Sequence, residues 1–162
     1  TQSKQLQDVY MHMSAHDGAS VVEVLQNCVI FNDGTHKEVT DKEVRDDRQL
    51  WLEHGKPMIF GKNKDKGIVL RGTKLEVVTI GENGITEKDI LVHDETTENT
   101  GIHMMLAQMR PPEFPMAFGV IRAYKQPTYN QLFEKQMQEA QENAKIKCVD
   151  DLLNSGETWE VK

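Results

Sequence analysis

Near its start the chain passes from a helical repeat, across a glycine, to a run of β-branched residues, and few architectures accept that order in so short a space. Leu6, Val9, Tyr10 and Met13 recur at helical spacing and predict a helix over residues 4–16, with Gly18 placed for a left-handed cap. Val21-Val22-Glu23-Val24-Leu25 follows, a run of the kind buried on both faces in a parallel sheet. Helix then strand is the closing part of an α/β crossover unit. The strand is expected to run into Gln26-Asn27-Cys28-Val29-Ile30-Phe31-Asn32-Asp33-Gly34. That puts Cys28 at or just past a carboxyl strand end, where open α/β sheets hold their ligands.

Beyond a loop rich in Asp, Gly, Thr and Lys, Thr40-Asp41-Lys42-Glu43 has the spacing of a capping box and predicts a helix through about Glu53, stopped by Gly55. The pattern then shortens. Residues 57–60, 67–70, 75–80 and 90–93 read as short strands, broken by glycines and by the Asn83-Gly84 turn signal. Ile102, Met105, Leu106 and Met109 share one face of a helix that follows Thr100 and stops at Pro111-Pro112. Residues 118–124 read as one more strand. Thr128-Tyr129-Asn130-Gln131 is a second capping box, opening a long helix with Tyr129, Leu132, Phe133, Gln136, Ala140 and Ala144 on one stripe. The tail from Asp150 has little regular pattern. No internal repeat or low-complexity linker is present, so one α/β domain over 1–126 and a C-terminal helix and extended tail over 127–162 is the economical reading.

Composition narrows the function classes. A single domain of 162 residues buries roughly two thirds of its unfolded surface, enough for a packed core. With 26 acidic against 19 basic residues the net charge is -7, which argues against nucleic acid or an anionic membrane as partner. No stretch has the roughly 18 apolar residues of a membrane span, and the first residues lack the apolar core of a signal peptide. Cys28 and Cys148 form neither a dense disulfide framework nor a CxxC pair, so reduced thiols in a cytoplasm are expected. The chain opens without Met and straight into a helical pattern, which predicts a fragment of a longer protein.

General catalytic motifs are absent: there is no GxGxxG, GxxxxGK[ST], GxSxG or HExxH. His12 and His16 stand one helical turn apart and face the same way, but lack a third ligand, and histidines on an amphipathic helix are usually surface residues. His93-Asp94-Glu95 has the residue types of an acid–base cluster, yet an acidic loop after a strand is more often simply solvated. Cys148 has no cationic neighbours to mark it as reactive. For Cys28 the pattern leaves two readings open, a buried core thiol or a functional one at a strand end.

Three separated stretches carry a resemblance that covers nearly the whole chain. Gly18 through Asp33, with its Gln-Asn-Cys-Val-Ile-Phe-Asn-Asp wording, resembles the strand and loop late in the thiamine-diphosphate domain of 2-oxoacid:ferredoxin oxidoreductase β subunits. Gly119-Val120-Ile121-Arg122 with Gln126-Pro127-Thr128-Tyr129, and Leu153-Asn154-Ser155-Gly156-Glu157-Thr158-Trp159, resemble that family's C-terminal strand, helix start and closing segment. The wording around Cys28 and the Ser-Gly-Glu-Thr-Trp ending look closest to the 2-oxoglutarate branch.

The resemblance implies the C-terminal half of a β subunit: part of a thiamine-diphosphate-binding α/β domain with a mostly parallel sheet, followed by strands, a long helix and a tail. It implies oxidative decarboxylation of a 2-oxoacid to acyl-CoA and CO2, electrons passing to ferredoxin. Thiamine diphosphate, Mg2+ and a [4Fe-4S] cluster are the cofactors, and an α subunit is the partner. Cys28 matches the last of four thiolate ligands to that cluster, with Asn32 and the backbone of Val29 to Phe31 beside it, where hydrogen bonds to cluster sulfurs tune potential. Some relatives have Pro where this chain has Val29, which bears on the rigidity of the loop and not on the ligand. The Gly-Asp-Gly-Asp diphosphate motif, three further cluster cysteines and the substrate-binding lysines are expected upstream of Thr1. The chain alone is therefore expected to be catalytically silent, with no cofactor bound. Two other readings stand beside this: a subunit acting on pyruvate or branched-chain 2-oxoacids, and a non-catalytic α/β assembly module, since fold alone does not fix function.

Overall fold

A computed structural model describes residues 3–157 and 159–161. They form two compact units, one reaching Lys125 and one starting at Gln126.

In the first unit, helix α1 (Ser3–Ser14) matches the helical repeat at the chain start. The β-branched run that follows does not form the expected strand. Residues 19–27 have no regular structure, and Val21 is 95% exposed. A strand needs a hydrogen-bonded neighbour, and none among the described residues pairs with this run.

The single helix expected from Thr40 is also replaced. Two one-turn helices, α2 (Lys37–Thr40) and α3 (Arg45–Arg48), lead into strand β1 (Gln49–Leu52). Thr40 does not cap a helix; its hydroxyl donates back to the His36 carbonyl at 2.9 Å. Burial of Leu50, which has no exposed surface, overrides the helical pattern. Removing so large an apolar side chain from water is worth about 2 kcal/mol, and it requires β1 to lie extended beside β5 (Met116–Gly119) in parallel register, Gln49 opposite Met116 and Leu52 opposite Gly119. β5 lies earlier than the strand expected at 118–124. It ends at Gly119, whose φ of +95° turns the chain away and is open to glycine but strained for other residues.

The second sheet is antiparallel, in the order β2 (Ile59–Phe60), β3 (Lys66–Arg71), β4 (Lys74–Thr79). Here the sequence pattern holds. A two-residue loop joins β3 to β4, and Gly72 occupies its first position at φ +62°, the sign a II′ turn requires. Asn83 and Gly84 both take positive φ, as their turn signal predicts. Residues 90–93 form no strand of their own but are held extended by main-chain bonds, with an isolated bridge from Val92 to Pro57. Helix α4 (Thr100–Gln108) is capped by Asn99, whose side chain accepts from Gly101 N–H.

One core joins both sheets and α4: Leu50, Leu52, Met58, Phe60, Ile68, Val69, Leu75, Ile90, Leu106 and Met109. Gly67 lies so close beneath Ile90 that an added Cβ would fall 2.9 Å from Ile90 Cγ1. The α/β class therefore holds, with a parallel sheet and a long helix, although pairing is more mixed than the mostly parallel expectation because the larger sheet is antiparallel.

In the second unit, helix α5 (Tyr129–Asn143) begins at the capping box read from the sequence. Thr128 Oγ1 accepts from Gln131 N–H at 3.2 Å, and Gln131 Oε1 accepts from Thr128 N–H at 2.9 Å. A short helix α6 (Val149–Leu153) occupies the tail read as patternless. Neither helix has a buried residue. Among the described residues no helix is long and apolar enough to cross a membrane.

Replacing Gly119 by Ala adds a Cβ 2.8 Å from the Leu52 carbonyl oxygen at a φ that alanine resists. The cost expected is about 2–3 kcal/mol, and Leu50→Ala should cost about 2–5 kcal/mol. Urea unfolding midpoints check both. A neutral Gly119→Ala would mean that β1 and β5 do not depend on this close approach.

Candidate functional site

Cys28 lies neither at a strand end nor in the core. It opens a tight turn on the surface, closed by the Asn32 N–H donating to the Cys28 carbonyl at 2.9 Å. Side chains on either side fix the turn. Asn27 Oδ1 accepts from Gly34 N–H at 2.8 Å, and its amide nitrogen donates to Asp33 Oδ1 at 2.8 Å. Asn32 Nδ2 donates to Thr35 Oγ1 at 2.9 Å. Gly34 closes the turn at φ +76°.

The backbone N–H groups of Phe31 and then Ile30 in this turn hold the Cys28 thiol below its ordinary range, with desolvation opposing them and Asn32 adding a lesser effect. Hydrogen bonds to the charged form favour the thiolate. The turn thus sets the surface thiol beside a cradle of backbone N–H groups that favours its charged form. Val29, Ile30 and Phe31 are 73%, 82% and 89% exposed, so the turn presents apolar side chains to solvent next to Cys28.

This arrangement fits one corner of an iron–sulfur cluster, for which thiolate character, N–H donors to sulfur and apolar surroundings are the relevant tuning elements. It supplies one ligand. No group of three or more His, Cys, Asp or Glu side chains placed to hold a metal occurs among the described residues. Asn32 contributes twice, through its backbone N–H and through the side-chain bond that holds the turn.

The other residues considered from the sequence have structural roles. His12 lies 3.5 Å from Glu95 Oε1 in a partly exposed ion pair. His93 is buried, with Nε2 2.8 Å from the Val120 carbonyl. Asp94 is held below the usual carboxylate range, first by the Thr96 hydroxyl and then by the Thr96 N–H. Cys148, exposed and free, caps α6 by accepting from Asp151 N–H at 3.5 Å.

Sequence reasoning missed Asn27, the side chain that holds both ends of the Cys28 turn. Its signal was present: Asn and Asp followed by Gly is turn chemistry, but the strand read through residue 27 concealed it. His103 and Arg122 were missed as well. Their partnership spans 19 residues of sequence, with no local pattern to announce it.

No protein-family model and no solved structure matches the chain. Among curated proteins it is similar to the 2-oxoglutarate oxidoreductase subunit KorB of Mycobacterium tuberculosis (strain ATCC 25618 / H37Rv), with 31% identity over 159 residues, 96% of this chain and 42% of that protein. The chain thus spans less than half the length of this relative.

If the N–H cradle lowers the Cys28 pKa, a thiolate-selective alkylating reagent at neutral pH should modify Cys28 several-fold faster than Cys148, because thiolate fraction outweighs the loss of intrinsic nucleophilicity. Asn27→Ala should narrow that difference by loosening the turn. Peptide-resolved alkylation rates measure both, and equal rates in the wild type would remove the cradle as a cause of reactivity.

Proposed function

We propose, from the premise that this chain is homologous over almost its whole length to a 2-oxoacid oxidoreductase β subunit, that it forms the C-terminal part of such a subunit and supplies one thiolate, Cys28, to a [4Fe-4S] cluster. The observation that carries this reading is the exposed Cys28 in a surface turn pinned by Asn27 and Asn32, where the neighbouring backbone N–H groups hold its thiol below the ordinary range. A core cysteine needs neither exposure nor donors. A cluster ligand benefits from both, since exposure lets metal reach the sulfur and nearby N–H groups favour its charged form.

In the intact enzyme the bound cofactors, thiamine diphosphate with Mg2+ and the cluster, supply carbanion stabilisation and single-electron transfer. The residues of this chain have narrower tasks. Cys28 anchors one corner of the cluster. The N–H groups of Phe31 and Ile30 would favour its charged form and, with a cluster bound, would help to set its potential. Asn27 and Asn32 keep the turn from opening. The substrate we assign is 2-oxoglutarate, the 2-oxoacid in the relative's name, with coenzyme A as acyl acceptor, ferredoxin as electron acceptor, an α subunit as partner and a cytoplasmic setting. With one thiolate in the turn, the chain by itself should hold no stable cluster and catalyse nothing.

The test is anaerobic co-expression of the intact β subunit with its α subunit, wild type and Cys28→Ser. Iron content is recorded together with 2-oxoglutarate- and coenzyme A-dependent reduction of ferredoxin or a viologen. The expected result is loss of most iron and at least a hundredfold loss of electron transfer in the variant. Full iron and activity in Cys28→Ser would return Cys28 to a purely local role, and preference for pyruvate or a branched-chain 2-oxoacid would reassign the substrate. For the chain of 162 residues alone, a stoichiometric brown iron–sulfur absorption would contradict the single-corner reading.

A further inference from the structure

Away from the Cys28 turn, a group of polar side chains ties together three parts of the first unit. His93 is 1% exposed and His103 4% exposed, their rings edge to face with centroids 6.3 Å apart. His93 Nε2 lies 2.8 Å from the Val120 carbonyl, and His103 Nε2 lies 2.8 Å from the Asp94 carbonyl. A carbonyl only accepts, so each Nε2 carries its proton. Arg122 donates from Nη1 to the Thr97 carbonyl at 2.7 Å and approaches His103 Nδ1 at 3.1 Å, while its guanidinium lies over the Tyr124 ring. Ala123 N–H donates to the Glu95 carbonyl at 2.7 Å. Residues 120–123 are thereby fastened to residues 93–97 and to α4.

His93 Nδ1 is buried without a hydrogen-bond partner. With Nε2 already donating, the neutral ring leaves Nδ1 as a bare lone pair, tolerable in an apolar setting. A second proton would create a buried N–H with no acceptor and a charge beside the His103 ring and the Arg122 network.

We propose that His93 is a proton-operated latch: in its neutral form it bonds the Val120 carbonyl and holds residues 120–123 in place, and gain of a proton at Nδ1 releases them. The charged groups around it divide. Burial acts first, holding the imidazole below the ordinary histidine range; the Val120 bond and the Glu95 carboxylate pull the other way, and His103 and His54 add to burial. Glu95 is itself engaged by His12 at 3.5 Å, and Asp94 by Thr96, with His54 3.6 Å away. Neither carboxylate is bonded to Nδ1. Release matters because residues 120–123 lead directly to Gln126, where the second unit begins. Acidification would free the segment that joins the units while the β3–β4 hairpin stays closed.

The sign follows from linkage. The open state has an ordinary histidine pKa near 6.5 and the closed state a lower one, so the closed state is favoured fully above that range and loses its advantage as pH falls through it. Between pH 7.5 and 5.5 the opening constant should rise for this single proton, by at most about tenfold.

Amide hydrogen exchange on the chain of 162 residues reads this directly. After correction for intrinsic rates, exchange at Ala123 should accelerate several-fold, and at most about tenfold, from pH 7.5 to 5.5 relative to Ile80, whose N–H bonds the Asp65 carbonyl far from the latch in sequence. His93→Gln offers an amide donor to Val120 that does not titrate, and should flatten the ratio. Nitrogen chemical shifts of the His93 ring in the wild type, which need no variant to fold, should show the Nε2–H tautomer persisting at pH 6. The proposal is overturned if Ala123 and Ile80 accelerate equally, if His93→Gln keeps the wild-type change, or if His93 takes up its proton near pH 6.5 with Ala123 still protected.

Discussion

Backbone pairing by residues 90–95 holds the first unit together. Leu91 donates to the Ile68 carbonyl in the antiparallel sheet and accepts from Met58 beside β2; His93 donates to Lys56 and accepts from Gly55; Glu95 accepts from Ala123. A stretch too irregular to count as a strand thus satisfies donors and acceptors in three other segments, as buried main-chain groups require. Ile90 is buried within it and packs against Gly67. Without this stretch the parallel pair and the hairpin would share side-chain contacts but no backbone bonds running through it.

Local chemistry was legible in the sequence wherever it was self-contained. Helix α5 begins at Thr128 because Thr and Gln three residues apart satisfy each other's backbone donors, and no distant residue is needed. The same holds for the Asn83-Gly84 turn and for the short strands read at 67–70 and 75–80, though their pairing as a hairpin shows only in the structure. Reading failed where partners outside the segment decide. Val21 to Leu25 has the composition of a buried strand, yet composition cannot supply a neighbour to pair with. Residues 40–53 satisfy a helical pattern, but Leu50 gains more by burial in an extended strand than the segment gains from helical propensity. The strand expected at 118–124 was shortened by the positive φ of Gly119, which shows only in three dimensions.

The candidate site was legible in identity and not in setting. Cys28 stood out from its position and wording, and the expectation of a strand-end thiol gave way to a surface turn. What holds that turn, Asn27, belongs to a class of side-chain-to-backbone bonds that local patterns suggest but do not assign. The histidines at 93 and 103 lay further from reach. A motif reading treats His-Asp-Glu as solvated or catalytic, whereas the structure uses the histidine as a buried fastener, leaves Asp94 exposed and covers most of the Glu95 side chain.

The contact between Gly67 and Ile90 has an evolutionary corollary. Ile90 fills the space that a side chain at position 67 would need, and Ile90 cannot retreat because it is part of the core. The two positions therefore share one volume, and sequence change at either is conditional on the other. Among homologues, alanine or serine at position 67 should travel with a smaller residue at position 90, a pairing of substitutions that neither position would show if surveyed by itself.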